Sequence, residues 1–190
     1  MSLLEGKRSL VVGIANEHSI ATSCAQGFRC EGADLAVTYL NDKAHPFVKP
    51  VAEALNAELF LLVDVTAYAQ MDALFATIAA KWGRLDFVLH SVAYCPQEDF
   101  QGNVVDCSRR GFATAMDISV YSFIWLARKA RPLMKNGGCL LTVSNCGAEK
   151  VVDHYNVMAP VMAALEASVK YLVAELGPVG IRVNALLPGH

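Results

Sequence analysis

The sequence predicts an α/β fold in which helices cover both faces of a doubly wound parallel sheet. Three observations support this prediction: short apolar runs alternate with longer segments of helical period, 54% of the residues are hydrophobic, and the chain has 190 residues. Continuous apolar runs are typical of strands buried on both faces, and this length suffices for one sizeable core. Because no repeat or linker interrupts the pattern, we assign residues 1–190 to a single domain.

Six apolar runs are the predicted strands. They cover residues 9–13, 34–40, 58–65, 85–92, 138–144 and 181–187. Segments of helical period between them predict helices at about 18–31, 44–56, 67–82, 108–134 and 154–176. Several of these helices are followed by glycines that are expected to end them, at positions 32, 83, 137 and 177. Strands that alternate with helices in this way are the pattern of a doubly wound sheet.

Charge and cysteine patterns exclude several classes of function. The 16 basic and 18 acidic residues are interspersed, which indicates no nucleic-acid surface. Glu5, Lys7 and Arg8 interrupt the N-terminal apolar stretch and no later run is long enough to span a bilayer, so we expect a soluble, cytoplasmic protein. The six cysteines and five histidines show no ligand spacing, and His154 and His190 are expected in loops, so no metal is predicted.

The first strand leads into a turn of small residues, GIANEHSIA (13–21), which opens a helix. Backbone N–H groups at a helix start suit a pyrophosphate, and the small Gly13 and Ala15 would let it approach closely. Ser19 and Ile20 begin the helix and complete this candidate site. The spacing is not GxGxxG, and an ordinary strand-to-helix turn with Ser19 near the N-cap is the alternative.

Residues at the carboxyl ends of the next strands extend the candidate cofactor site, because ligands of open α/β sheets bind outside those ends. These candidates are Leu40, Asp64, Val65, Ser91, Val92 and Ala93. Asp64 could accept a hydrogen bond from an adenine amino group, and the small Ser91 would leave room for the nicotinamide ribose. The segment YLNDK (39–43) has no arginine for a 2′-phosphate and includes Asp42, which favours NADH over NADPH.

Eight motifs give the sequence a resemblance to a known family. They are GIANEHSIA (13–21), TYLND (38–42), DV (64–65), HSVA (90–93), MDISVYSF (116–123), GAEKVV (147–152), HYNVM (154–158) and LGPVGIRVNA (176–185). Over residues 4–189 the chain resembles the short-chain dehydrogenase/reductase superfamily, and in particular its enoyl-acyl-carrier-protein reductase branch. The resemblance implies a Rossmann-like fold, NAD as cofactor, an enoyl substrate bound to acyl-carrier protein, and a role in fatty-acid biosynthesis.

The same resemblance implies the catalytic residues. In this branch a tyrosine stabilises the enolate oxygen of the substrate, and a lysine seven residues later holds the ribose hydroxyls of the cofactor. Residues seven apart in a helix share a face, roughly 10 Å from each other. The motif assigns the tyrosine to Tyr155, the lysine position to Met162 and the position of a second tyrosine to Asn145. The lysine is therefore absent, and Ala159, at the four-residue spacing of the wider superfamily, does not replace it.

Two of these assignments have structural alternatives. Met162 belongs to an apolar stripe at helical spacing, with Met158, Leu165 and Val169, that would pack on the sheet. A lone tyrosine such as Tyr155 is also often structural, although its place in HYNVM favours catalysis or substrate contact. Loss of one electrostatic contact typically lowers the rate on the order of 10²–10³-fold, so we expect weakened activity.

The chain ends soon after the sixth strand, at Pro188-Gly189-His190. In the family a substrate-binding helix and a last strand follow this proline, so the resemblance implies a domain without them, or a C-terminal part outside this sequence. Pro188 is the last candidate cofactor contact. We expect a homo-oligomer, a tetramer by resemblance, formed through helices 108–134 and 154–176. A non-catalytic dinucleotide-binding paralogue that acts as an oligomer partner is the main alternative, and the seven-residue spacing disfavours a carbonyl reductase.

Overall fold

The computed structural model describes residues 2–153 and 155–188 and contains a six-stranded parallel sheet. The strands are β1 (Arg8–Val12), β2 (Asp34–Tyr39), β3 (Leu59–Leu62), β4 (Phe87–His90), β5 (Gly138–Val143) and β6 (Ile181–Leu186). Their order across the sheet is β3-β2-β1-β4-β5-β6, with every neighbouring pair parallel. This is the Rossmann order, so the predicted fold class is confirmed. The expectations for His154 and His190 lie outside the described residues.

Helices connect the strands. They are α1 (Ile20–Cys30), α2 (His45–Ala54), α3 (Tyr68–Trp82), the short α4 (Gln97–Phe100), α5 (Arg109–Met116), α6 (Ser122–Ala130) and α7 (Met158–Leu176). A π turn, Asp117–Tyr121, joins α5 to α6, and the Ser122 N–H donates to the Asp117 carbonyl five residues back. The predicted continuous helix 108–134 is therefore interrupted by this wider turn.

Helix α7 begins later than the sequence predicted, and it ends at Leu176 as predicted. Asn156 has φ +37°, a left-handed conformation that cannot belong to a right-handed helix, so α7 starts at Met158 and not at residue 154. At the other end Gly177 has φ −55° and begins a further 3₁₀ turn, and the left-handed residue is Gly180. Gly83 closes α3 with φ +67° as predicted, whereas Gly137 lies beyond the end of α6 at Ala130 and of the 3₁₀ turn Arg131–Leu133.

Each face of the sheet carries its own apolar core. Helices α1 and α2 pack on one face, where Val11 and Leu35 are fully buried. Helices α3, α5, α6 and α7 pack on the other, against Leu10 and Val12. Neighbouring strand residues contribute to different cores because side chains alternate across a sheet. Phe123 of α6 is 0% exposed in the second core.

Candidate active site

The strand order reverses between β1 and β4, and a crevice opens at the carboxyl ends of the strands around this point. It contains a cavity of about 460 Å³. The lining residues are Val12, Gly13, Ile14, Ala15, Thr38, Leu40, Ala44, Val63, Asp64, Val65, Thr66, Ser91, Val92, Ala93, Tyr94 and Ile118. Eight residues that the sequence proposed for the cofactor, from four different loops, are thereby brought to one cavity.

Gly13 allows two of these loops to approach each other. It has φ +107°, and a Cβ placed on it would lie 2.1 Å from the backbone oxygen of Ser91. The Ser91 N–H donates to the carbonyl of Val12 at 2.8 Å, which extends the pairing of β1 and β4 to the edge of the cavity. This part of the crevice is therefore built from backbone, and any side chain at position 13 would separate the strands.

The first turn of α1 stands beside the cavity. Ser19 is its N-cap: the hydroxyl accepts from the Thr22 N–H at 3.4 Å and lies 3.0 Å from the carbonyl oxygen of Asn16. Ile20 is 42% exposed. Ser19 and Ile20 lie outside the cavity lining, as does the half-buried Pro188 after β6, so their contact with a cofactor stays a prediction.

Protein groups donate hydrogen bonds to one of the two carboxylate oxygens of Asp64. Its Oδ1 accepts from the Thr66 N–H at 2.9 Å and from the Thr66 hydroxyl at 2.7 Å. The backbone N–H of Asp64 donates to the side chain of Gln70 at 2.8 Å, which fixes the loop after β3 to α3. Among the described residues nothing donates a hydrogen bond to Oδ2, so this oxygen can accept one from a ligand.

Tyr155 precedes α7 and is half-buried. Its ring meets the edge of the Phe100 ring, with centroids 6.4 Å apart, and it packs closely on Gly147, where a Cβ would lie 2.4 Å from Cδ1 of the tyrosine. Burial raises the pKa of the Tyr155 hydroxyl, and the nearby thiol of Cys146 raises it further. The hydroxyl is therefore protonated at neutral pH and can donate a hydrogen bond.

Asn145 and Met162 both have clear structural tasks in the fold. The side-chain oxygen of Asn145 accepts from the Gly147 N–H at 2.9 Å and so caps the 3₁₀ turn Cys146–Ala148. Met162 is 2% exposed and belongs to the core between α7 and the sheet. Their assignment to the positions of a second tyrosine and of the lysine stays a prediction, whereas the stripe that predicted a packing role for Met162 matches its burial.

Two polar groups near this end of the sheet were missed from the sequence. Ser144, which follows β5, donates to Glu166 of α7 at 2.6 Å and so ties the strand end to the helix. His90, at the end of β4, is 0% exposed, with its ring nitrogens 2.9 Å from the Thr142 hydroxyl and 2.8 Å from the Ser122 hydroxyl. Burial lowers the pKa of His90 to about 3. Polar residues at the ends of apolar runs were the available signal.

The loop after β4 is held by the π turn. The Tyr94 N–H donates to the buried hydroxyl of Ser119 at 3.0 Å. Ile118, the neighbour of Ser119, lines the cavity together with Tyr94. The π turn thus places Ile118 in the crevice lining and holds Tyr94 through Ser119, which helical periodicity did not indicate.

A larger cavity of about 700 Å³ lies at the opposite, amino-terminal ends of the strands. Its charged residues are largely occupied with one another, since Asp86 pairs with Lys7 and with Arg84, each at 3.4 Å. We assign the site to the smaller cavity because ligands of doubly wound sheets bind at the carboxyl ends. Across residues 2–153 and 155–188, no group of three or more His, Cys, Asp or Glu side chains could hold a metal ion.

Comparison with known sequences gives a consistent result. A family model described as enoyl-(acyl carrier protein) reductase matches residues 13–190. The NADH enoyl-[acyl-carrier-protein] reductase FabI of Aquifex aeolicus is 47% identical over 190 residues, which is 100% of this chain and 70% of that protein. Enoyl-[acyl-carrier-protein] reductase [NADH] 1 of Rhizobium meliloti is 46% identical over 187 residues, covering 98% of this chain and 69% of that protein.

Solved structures agree with the sequences. The enoyl-acyl-carrier-protein reductase of Anaplasma phagocytophilum, solved in complex with NAD, superposes with a TM-score of 0.95 at 47% identity, covering 98% of this chain and 71% of that one. The Bacillus cereus reductase, solved with NADP⁺ and an indole naphthyridinone, gives a TM-score of 0.94 at 42% identity, covering 97% and 73%.

Proposed function

The chain belongs to the enoyl-acyl-carrier-protein reductase family, and we propose that it reduces the trans-2 double bond of enoyl thioesters on acyl-carrier protein, with NADH as the reductant, in fatty-acid biosynthesis. The main support is the crevice, where residues from four loops line one cavity at the reversal point of the sheet. The proposal assigns the cofactor to this crevice and the substrate oxygen to Tyr155.

The residues of the crevice fit a dinucleotide. Gly13 lies against the Ser91 carbonyl and adds no side chain to the crevice. The Asp64 oxygen that receives no hydrogen bond from a described residue can accept one from an adenine amino group. The exposed Asp42 after β2 disfavours a 2′-phosphate, which supports NADH over NADPH. When bound, the nicotinamide supplies a hydride to the β-carbon of the enoyl group.

Tyr155 would stabilise the charge that develops on the substrate. Addition of hydride at the β-carbon places negative charge on the thioester oxygen as an enolate. A protonated tyrosine hydroxyl can donate a hydrogen bond to that oxygen, and burial raises the pKa of Tyr155, which keeps the proton in place. The ring is already confined by Phe100 and Gly147, so little orientation has to be gained during the reaction.

Met162 limits the expected rate. The family motif places an ammonium group here, and a thioether provides neither charge nor a hydrogen-bond donor. We therefore propose a slow reductase, lowered on the order of 10²–10³-fold relative to a chain with lysine at this position. The burial of Met162 in the core also supports a second candidate, a dinucleotide-binding paralogue without catalysis that assembles with an active relative.

Turnover of NADH with a trans-2-enoyl thioester tests the proposal. The experiment compares the natural chain with Met162→Lys, Met162→Gln and Tyr155→Phe, after NADH binding to each has been measured by fluorescence. Lysine should raise kcat on the order of a hundredfold, whereas glutamine, which is polar but uncharged, should not. Tyr155→Phe should lower kcat in both the Met162 and the Met162→Lys backgrounds.

The outcomes separate the two candidates. Slow turnover by the natural chain that increases with lysine supports the reductase. If all variants bind NADH and none turns over the thioester, the reductase proposal fails and the paralogue is favoured. If none binds NADH, both candidates fail.

We further propose a homotetramer formed through the outer faces of α5, α6 and α7. Large apolar side chains there remain uncovered: Tyr121 is 40% exposed, Tyr171 74% and Val173 45%. Exposed patches of this kind often mark contacts between subunits. A light-scattering mass of four chains is expected, and a mass of one chain would remove this part of the proposal.

The same proposal places the reaction in the cytoplasm. Of the helices that the structure describes, none is both long and apolar enough to cross a bilayer. Fractionation of cells that produce the protein should recover it with cytoplasmic enzymes, and recovery with membranes would contradict the assignment.

A further inference from the structure

Asn156 follows Tyr155 directly and has an unusual conformation. Its φ of +37° lies in the left-handed region, which asparagine adopts more readily than most residues. Asn156 is also buried, with 8% of its surface exposed. The side-chain Nδ2 donates to the backbone carbonyl of Asp99 at 2.7 Å. Asn156 therefore connects the turn that carries Tyr155 to α4, 57 residues earlier in the chain.

Asp99 is itself fixed. It is 4% exposed, and its carboxylate accepts from the Ser108 N–H at 2.5 Å and from the Ser108 hydroxyl at 2.9 Å. The Ser108 hydroxyl in turn accepts from the Gly111 N–H at 2.9 Å as the N-cap of α5. A Cβ at Gly111 would lie 1.8 Å from the Asp99 carboxylate, so only glycine leaves room for this contact. The carbonyl that Asn156 binds is thus held by the first turn of α5.

The same α4 segment contacts the tyrosine ring. Phe100, the residue after Asp99, presents its ring to Tyr155 at an interplanar angle of 77°, and Gly147 limits the ring on another side. Rotation of the backbone at Asn156 would move Tyr155 against one of these neighbours. Two contacts therefore join α4 to the turn before α7: the hydrogen bond from Asn156 to Asp99 and the ring contact between Phe100 and Tyr155.

The second polar atom of the Asn156 amide distinguishes positioning from simple stability. Its Oδ1 is buried and makes no hydrogen bond to a described residue. A buried oxygen without a partner costs stability, and glycine would adopt the left-handed conformation without this cost. The role of Asn156 therefore depends on the N–H donor of its side-chain amide as well as on its left-handed backbone.

We infer that Asn156 is a positioning residue, whose hydrogen bond to the Asp99 carbonyl sets the orientation of Tyr155 relative to α4. The orientation of the Tyr155 hydroxyl, which would donate to the substrate, therefore depends on where the segment 97–111 lies. This inference rests on the proposed function of Tyr155, but the placement of the ring can be measured without turnover.

Fluorine NMR of the protein labelled with 3-fluorotyrosine provides that measurement. The chain has six tyrosines, and the resonance lost in Tyr155→Phe identifies the one of interest. Asn156→Gly keeps the left-handed backbone and removes the side chain, and Asn156→Asp keeps the shape and removes the donor. Both should shift or broaden the Tyr155 resonance while the other resonances stay in place. Ser108→Ala removes the hydroxyl that donates to Asp99, and it should shift the Tyr155 resonance in the same direction by a smaller amount.

Asn56 offers a matched control. It is also left-handed, with φ +49°, but it is exposed and follows α2. Asn56→Gly should leave the Tyr155 resonance, NADH affinity and kinetics unchanged. In the Met162→Lys background, Asn156→Gly should lower kcat on the order of ten- to a hundredfold, with KM for NADH changed less than about twofold, because orientation and not cofactor binding is lost.

An unchanged Tyr155 resonance in both Asn156→Gly and Asn156→Asp would overturn the inference. A simultaneous change of all tyrosine resonances would also overturn it, because Asn156 would then support the fold as a whole. If the natural chain and Met162→Lys bind NADH and show no turnover, the proposed reductase function fails, while the resonance of Tyr155 still decides whether Asn156 positions its ring.

Discussion

The cofactor crevice and the segment around Tyr155 are built by different means. In the crevice, the close approach of β1 to β4 depends on backbone atoms, because Gly13 lies directly against the Ser91 carbonyl. Around Tyr155, the geometry depends on individual side chains from distant parts of the chain, such as the Phe100 ring against the tyrosine ring. A contact between backbone atoms tolerates changes in neighbouring side chains, whereas a contact between side chains can be lost through one substitution.

Gly13→Ala should break the crevice and has the largest expected effect. A methyl group 2.1 Å from the Ser91 oxygen, on a residue with φ +107°, cannot be accommodated without moving β1 or β4. We expect a loss of about 3 kcal/mol or more in the free energy of unfolding, and NADH binding weakened at least about a hundredfold. Urea denaturation and NADH fluorescence measure the two effects.

Gly27→Ala in α1 is the control for that substitution. Apart from its chain neighbours and the backbone of α1, no atom of the described residues lies within 4 Å of a Cβ built on Gly27. Alanine in a helix is favoured over glycine by about 0.5–1 kcal/mol, so this variant should be slightly more stable and bind NADH normally. Equal behaviour of the two alanine variants would contradict the account of the crevice.

Met162→Ala and Met162→Leu sharpen the comparison on the catalytic side. Because Met162 is 2% exposed in the core, alanine should cost about 2–5 kcal/mol of unfolding free energy, and leucine less than about 1.5 kcal/mol. Neither should change NADH affinity of the folded protein more than about twofold, as the crevice lies elsewhere. A strong loss of NADH affinity in the leucine variant would show that the thioether contacts the cofactor.

His90, at the end of β4, makes the free energy of unfolding depend on pH. The folded protein keeps His90 neutral down to a pKa of about 3, whereas the unfolded chain takes up the proton near pH 6.5. The unfolded state therefore binds more protons in this window, and stability falls as the pH is lowered from 6.5 towards 3. From His90 we expect a loss of about 2 kcal/mol at pH 5, measured by urea denaturation.

His90→Gln tests the assignment of this effect. Glutamine can still form hydrogen bonds with Thr142 and Ser122 but does not titrate. The difference in unfolding free energy between pH 7 and pH 5 should shrink by about 2 kcal/mol in the variant. An unchanged difference would assign the pH dependence to other groups.

Thr66→Val should have the smallest effect and tests a side-chain contact within the crevice. It removes the hydroxyl that donates to Asp64 and leaves the backbone N–H contact. Loss of one such bond is worth about 0.5–1 kcal/mol, so NADH affinity should fall about two- to fivefold. Thr77→Val removes a hydroxyl that donates to Ala73 within α3, and it should leave NADH affinity unchanged.

The sheet and the crevice could be predicted from the sequence because both follow from local patterns. Apolar runs gave all six strands, and the carboxyl ends of parallel strands must meet at one edge, which brought Gly13, Asp64 and Ser91 together. Thr38, near the end of β2, also lines the cavity but was not predicted. A single polar residue in an apolar strand does not reveal whether its side chain faces a ligand site or the core.

The surroundings of Tyr155 could not be predicted because they depend on contacts across long stretches of chain. Asn156 donates to the carbonyl of a residue 57 positions away, and the Tyr155 ring contacts Phe100 of the distant α4. Neither pair has a periodicity or spacing that a sequence pattern could reveal. Family resemblance assigned the tyrosine to Tyr155 and the lysine position to Met162, and both assignments stay predictions. It did not indicate the groups that hold the tyrosine ring.

The π turn at Asp117–Tyr121 determines which changes of chain length this part of the protein can tolerate. A π turn contains one residue more than an α-helix needs to cover the same distance, so it behaves as an absorbed insertion. Deleting one residue there would restore a regular helix but rotate Ser119 away from the Tyr94 backbone that it binds. We therefore expect this stretch to resist single-residue deletion far more than the exposed turns elsewhere, because its irregularity is what reaches the cofactor crevice.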